Sequence, residues 1–214
     1  MSDSAARRDD LGDALLPGDR ESLAALFFKY RKRFLRLVEF RMDRRLAGRI
    51  DPDDVLQEAY LAASARLEHY NSKEDRSPFV WLRMIVIQTL TDLHRHHLGV
   101  KMRNVERELS LPSRSYPQTT STSLAVQCAG RFATPSEAAA QAETVSQIAQ
   151  AIAAMDPLDQ EILALRQFEE LSNAETAEVL GIQPSAAGMR FFRAIRRLRE
   201  TLTALPGING FFDV

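Results

Sequence analysis

The stretch Asp156–Leu202, DPLDQEILALRQFEELSNAETAEVLGIQPSAAGMRFFRAIRRLRETL, decides how the rest of the chain is read. It divides into three helices with two tight breaks. Asp156-Pro157 is an N-cap followed by a first-turn proline, and Leu158, Ile162 and Leu165 then recur at helical spacing. Asn173 is the predicted cap of a second, short helix through Leu180, and Gly181 can take the left-handed conformation that closes it. Pro184 opens a third helix to about Thr203. Ala187, Phe191, Ala194, Leu198 and Leu202 line one of its faces, and Arg190, Arg193 and Arg197 fall on another.

The charges of this stretch are sorted. Residues 156–182 hold seven acids and one arginine, whereas residues 184–203 hold five arginines and one glutamate. Two short helices around a glycine turn, the second basic and amphipathic, read as a helix-turn-helix with a recognition helix. The plain alternative is a helical hairpin with a solvated arginine face. Within the recognition helix, Arg190 is the candidate base reader and Arg197 the candidate phosphate contact, with Ser185 near a helix start that can grip phosphate.

A chain of 214 residues suits one domain or two small ones, and 45% hydrophobic with 27% charged residues is a folding composition. Its formal net charge of −1 supplies no global field for a polyanion, so nucleic-acid binding has to be local. Cys128 is the only cysteine, which excludes an internal disulfide and a thiolate zinc site and fits a reducing cytosol. The opening MSDSAARRDDLGD lacks the apolar core of a signal peptide, and no apolar run reaches the roughly 18 residues of a membrane span. A cytoplasmic protein without membrane insertion is expected.

Residues 1–18 read as a disordered N-terminus. A helix is predicted from Asp19 to about Leu46, with Leu23, Leu26, Phe27, Tyr30, Phe34, Leu37 and Val38 in period. Residues 20–49 hold ten Lys/Arg against three acids, a charge run that reads as a solvated face before it reads as a polyanion site. Asp51-Pro52-Asp53-Asp54 is an N-cap, a first-turn proline and two acids suited to the helix dipole. The helix that follows, to about Tyr70, carries an apolar stripe of Leu56, Tyr60, Ala63 and Leu67, with Asp54, Gln57 and Glu58 outside it. After the polar loop Asn71–Ser77, Pro78 opens the most apolar helix of the chain, from Phe79 to Leu93, ending in His94-Arg95-His96-His97 with Lys101 and Arg103 beyond. Apolar on nearly all sides, it is expected to be central and buried, with Trp81 mostly in the core. Adjacent helix-start acids diverge and consecutive histidines do not converge on one ion, so no metal site is expected at either place.

Residues 104–137 read as a flexible linker, with ten Ser/Thr and three Pro between Ser110 and Ser136. A helix capped by Ser136 is predicted through Met155. The tail 206–214, with Phe211 and Phe212, receives no function.

Three motifs together carry a resemblance. Asp51-x-x-Asp54-Val-Leu-Gln57-Glu58 is similar to the clamp-binding helix of bacterial sigma factors. Pro78-Phe-Val-Trp81-Leu82, then Asp92 and Arg95, resembles their helix for the minus-ten promoter element. Glu175-Thr-Ala177-Glu-Val-Leu180-Gly181 with Arg193-Ala194-x-x-Arg197-Leu198-Arg199 resembles their reader of the minus-thirty-five element. Order and spacing match the extracytoplasmic-function (ECF) group of the sigma-seventy family.

The resemblance implies an all-α protein of two small helical domains: residues 19–103 for core polymerase and the minus-ten element, and residues 138–205 as the helix-turn-helix. It implies polymerase docking at Asp51, Asp54, Gln57 and Glu58. It implies minus-ten contacts at Trp81, Gln88, Asp92 and Arg95, and minus-thirty-five contacts at Ser185, Arg190, Arg193 and Arg197. The implied partners are core RNA polymerase, promoter DNA and, as a further candidate, an anti-sigma antagonist; no cofactor is implied. The chain departs from the family pattern twice: Gln88 stands where an asparagine is usual, and Ala187-Gly188-Met189-Arg190 replaces the common Val-Lys-Ser-Arg. No nucleophile–base pair, glycine-rich phosphate loop or metal cluster is visible in the sequence, so a non-enzyme is expected. Two rivals remain. A free-standing helix-turn-helix regulator leaves the 51–97 motifs unexplained, and a metal-dependent hydrolase would have to use Asp53, Asp54, Glu58 and the histidine cluster.

Overall fold

Capping chemistry sets the start of the first helix. Asp19 accepts the backbone N–H of Ser22 at 3.0 Å, and the Ser22 hydroxyl bonds the same carboxylate, holding its pKa below the usual carboxylate range. In the computed structural model this helix, α1, runs Arg20–Arg41; the structure describes residues 15–43, 45–46, 48–70, 77–98, 123–126 and 138–203. All seven residues expected on its apolar face are buried. The helix stops about five residues before Leu46, because Met42 turns to extended backbone while its N–H still reaches Val38 O at 2.7 Å.

The second helix, α2 (Pro52–Arg66), begins as the sequence predicts: Asp51 accepts from Asp53 N at 2.9 Å and Pro52 fills the first turn. A short 3₁₀ turn, Leu67–His69, tightens its end. Val55, Leu56, Ala59, Ala63 and Leu67 are buried, and Tyr60 sits half-buried, edge-on to Phe27 at 5.3 Å. The third helix, α3 (Pro78–Leu98), is buried over its first half, through Phe79, Val80, Trp81, Leu82, Ile85, Val86, Ile87 and Leu90. Its last two turns are wetter, with Asp92, Arg95, His96 and His97 exposed.

These three helices form one unit. Aromatic rings knit it together: Phe79 stacks on Phe34 at 5.5 Å and meets Tyr30 at 4.9 Å, while Trp81 packs on Tyr70 at 4.9 Å. One core member escaped the hydrophobic pattern: Arg83, in the middle of the apolar helix, is only 1% exposed.

The second unit contains α4 (Ala138–Ala153), α5 (Pro157–Leu163), α6 (Asn173–Leu180) and α7 (Pro184–Thr203). The start of α5 is as predicted, with Asp156 accepting from Leu158 N at 2.9 Å ahead of Pro157. It continues as a wider π turn, Ala164–Phe168, and Glu170 then takes φ 55°, a left-handed position usually given to glycine. The N-cap of α6 differs from expectation. Ser172, not Asn173, caps it, in a reciprocal box with Glu175: Glu175 N donates to Ser172 Oγ at 3.1 Å, and Ser172 N to Glu175 Oε2 at 2.6 Å. Asn173 is thereby released, and its Nδ2 donates to Pro184 O at 2.7 Å, tying α6 to the start of α7. Gly181 closes α6 at φ 66° as the sequence requires. Ile162, Leu163, Ala177, Ala187 and Ala194 form the core of this unit, ringed by Met155, Leu180, Ile182, Phe191, Ile195 and Leu198.

Every regular element among the described residues is helical, and the second unit contains the expected helix-turn-helix. Residues 123–126, inside the stretch read as a flexible linker, form a helical turn with Leu124 and Ala125 buried; they are the apolar break in an otherwise Ser/Thr-rich run. The N-terminus 1–14, residues 71–76 of the loop, Lys101, Arg103, Cys128, the rest of the linker with the Ser136 cap, and the tail with Phe211 and Phe212 lie outside the described residues.

Candidate nucleic-acid interface

The α2 start presents acids because its apolar residues point the other way. Asp51, Asp54, Gln57 and Glu58 are all exposed, about one helical turn apart and outside the buried stripe of α2. Asp53 is different, since it pairs with Arg31 of α1. Leu61 continues the outward face and is 67% exposed, a residue that the motif reading passed over.

Glu58 also lines a groove of about 420 Å³ between α2 and α3, together with Arg66, Gln88, Asp92 and His96. Residues expected to serve polymerase and residues expected to serve DNA therefore share one rim. Gln88 is exposed and accepts a hydrogen bond from Arg66, so the departure from asparagine lies on the surface and has a partner there. Asp92 pairs with Arg95 at 3.6 Å, both exposed. Trp81 does not join them on the surface: at 8% exposed and packed on Tyr70, it lies in the core, as expected.

At the junction after α1, Asp43 N donates to His94 Nε2 at 3.3 Å. Burial pushes the His94 pKa below its ordinary value, against the opposing pull of Asp43. The Arg45 guanidinium, hydrogen-bonded to Asp43 at 2.7 Å, brings that carboxyl down to about 2. Among the described residues no three His, Cys, Asp or Glu side chains come together as a metal site.

In the helix-turn-helix, the arginines of α7 are not equivalent. Asp159 of α5 is almost fully covered, its side chain 3% exposed, and it takes two of them: Arg190 Nε at 3.3 Å and Arg197 Nη1 at 2.7 Å. Arg190 also lies 3.9 Å from Asp156. Seven residues apart, Arg190 and Arg197 share one flank of α7, where α5 passes. The Arg190 guanidinium is drawn toward α5. Arg193 points outward, exposed, with no ion pair among the described residues, and Ser185 is exposed near the helix start. Sequence reasoning missed Asp159, whose only signal was an acid set among the apolar positions of α5. Gly188, which stands where the family pattern has a lysine, is not on the outward face. It faces α6: a Cβ there would stand 3.5 Å from Asn173 Oδ1.

The fold thus presents two helical units, with an exposed acidic face in the first and a helix-turn-helix with a basic second helix in the other. Comparison with known proteins sharpens this. Residues 31–98 match the family model Sigma-70 region 2, and residues 146–198 match Sigma-70, region 4. ECF RNA polymerase sigma factor SigD of Mycobacterium tuberculosis is 25% identical over 204 residues, covering 95% of this chain and 88% of that protein, and SigD of Mycobacterium bovis aligns equally. Among solved structures, CnrH in complex with the cytosolic domain of CnrY is 21% identical with a TM-score of 0.47, covering 87% of this chain and 91% of that one. The RsbN–BldN complex is 20% identical with a TM-score of 0.28, covering 86% and 94%. The chain belongs to the sigma-70 family, as an ECF-type sigma factor.

Proposed function

We propose that this chain docks on core RNA polymerase through α2, captures the melted minus-ten element with α3, and reads the minus-thirty-five element as duplex with α7. A sigma factor binds core polymerase and directs promoter-specific initiation, and the two family regions fall on the two helical units in the order that this division of labour needs. That correspondence carries the reading. Residues 19–103 are the polymerase and minus-ten domain, residues 138–205 the minus-thirty-five domain. The chain acts in the cytoplasm without catalysing a reaction of its own; no described helix is long and apolar enough to cross a membrane.

Asp51, Asp54, Gln57 and Glu58 supply an acidic, solvated patch whose complement is a basic surface on the clamp. Gln88, Asp92 and Arg95 supply polar contacts to unstacked bases and backbone, with Trp81 supporting them from beneath. On α7, Ser185 and Arg193 face the groove, while Arg190 and Arg197 reach it from the flank held by Asp159. Reconstitution with core polymerase, followed by mapping of transcription starts, tests the whole. Reversing charge at Asp54 and Glu58 tests the docking patch: core affinity falls by titration while the melting temperature holds. Equal affinity in the double variant would remove α2 from the interface.

A further inference from the structure

The outward face of α7 carries two side chains that neither the core nor the ion pairs employ. Met189 is 58% exposed and Phe192 74% exposed. Three residues apart, they are neighbours on the helix surface, on the side opposite the buried Ala187, Ala194 and Leu202. Ser185 precedes them by one turn, and Arg193 and Arg196 border them, all exposed. The face is therefore an apolar centre with cationic edges. Its position is the middle of the second helix of a helix-turn-helix, the part that enters a major groove. The floor of that groove presents one methyl group, the C5-methyl of thymine, among the hydrogen-bond donors and acceptors that distinguish the base pairs. The walls are phosphate, which the bordering arginines complement.

We propose that Met189 and Phe192 read thymine methyl groups in the upstream promoter element, so that this chain selects part of that element by apolar contact. The inference rests on the assignment of α7 to duplex reading. It also gives Met189 a purpose: this position of the family's common Val-Lys-Ser-Arg run, polar there, is filled here by a side chain that can cover a methyl group. A protein partner covering the same pair is the competing occupant, and it would leave thymine recognition untouched when the pair is truncated.

The test uses holoenzyme assembled from the full chain and core polymerase. Upstream-element duplexes selected from a randomised library are remade with each thymine replaced singly by deoxyuridine, which removes the methyl group alone. Wild-type holoenzyme is expected to bind about fourfold more weakly at one or two positions, the effect of uncovering one methyl-sized group. Phe192→Ala and Met189→Ala should each become indifferent to the methyl at one of those positions while keeping the salt dependence of wild type. Both side chains are exposed, so truncation spares the core, and thermal melts verify that. Wild-type indifference to every methyl group, or variants that keep full discrimination, would overturn the inference alone. A wild-type holoenzyme with no preference among upstream elements would overturn the α7 assignment as well.

Discussion

Asp53 in the first unit and Asp159 in the second both hold arginines, in different media. Asp53 and Arg31 are 45% and 46% exposed, whereas the Asp159 side chain is 3% exposed and engages both Arg190 and Arg197. An exposed pair gains little, because water and salt screen it and two long side chains must be ordered. A covered carboxylate depends on its partners, since without them it is a charge removed from water. In the first unit, then, the acidic face of α2 and the core behind it are separable: charges can change there without touching the packing. In the second unit they are coupled. The buried acid that anchors α5 to α7 also occupies two of the five arginines of α7.

The largest expected effect probes the core side of this contrast. Leu82 is fully buried in α3, so Leu82→Ala should cost about 2–5 kcal/mol as lost burial plus cavity, measured by denaturant unfolding. A cost near zero would mean that the first unit is held by its surface charges after all. Next comes the direct contrast. Asp159→Ala should cost about 1.5–3 kcal/mol, the range of hydrogen bonds to charged groups, because the two arginines can swing to water once released. It should also change base preference on upstream duplexes, since Arg190 is no longer held to α5. Arg31→Ala should cost less than about 1 kcal/mol and leave DNA preference unchanged. If the two substitutions cost the same, burial is not what separates the two acids.

Gly188 offers a smaller change of opposite sign. The site has room, with the nearest contact of an added Cβ at an ordinary 3.5 Å, so Gly188→Ala should stabilise by up to about 1 kcal/mol through helix propensity. A melting temperature that falls would show that α6 and α7 cannot accept even one methyl between them. The smallest effect is a pH dependence confined to the first unit. The His94 pKa is depressed by burial, so its neutral form is the one the fold favours. The associated stability is complete above the unfolded value near 6.5 and is lost as pH falls through the lower folded value. The melting temperature should therefore decline as pH falls through that window, and His94→Gln should flatten the decline.

Much of the architecture was legible because its signals are local. The caps at Asp51 and Asp156, the prolines opening α2, α3, α5 and α7, and the left-handed Gly181 each act within one helical turn. The apolar stripes of α1 and α7 are periodic and were read residue by residue. The misreadings involve choices between local and distant partners. Asn173 and Ser172 can both cap; Ser172 wins because Glu175 reciprocates, and Asn173 finds Pro184 O eleven residues on. The end of α1 was overextended because helical period continues past Met42, where the chain turns so that Asp43 N can meet His94 of α3.

The sequence by itself determined that the chain is helical, where most helices begin, that a helix-turn-helix closes the described part, and to which family the motifs point. Each of these follows from chemistry spanning a few residues or from a period along one helix. Only the tertiary structure decided which charges are available. Arg197 meets Asp159 across 38 positions, Arg83 is buried in a helix whose composition hid it, and Met189 and Phe192 turn outward. A side chain's burial depends on which other helix lies against it, and no local pattern records that.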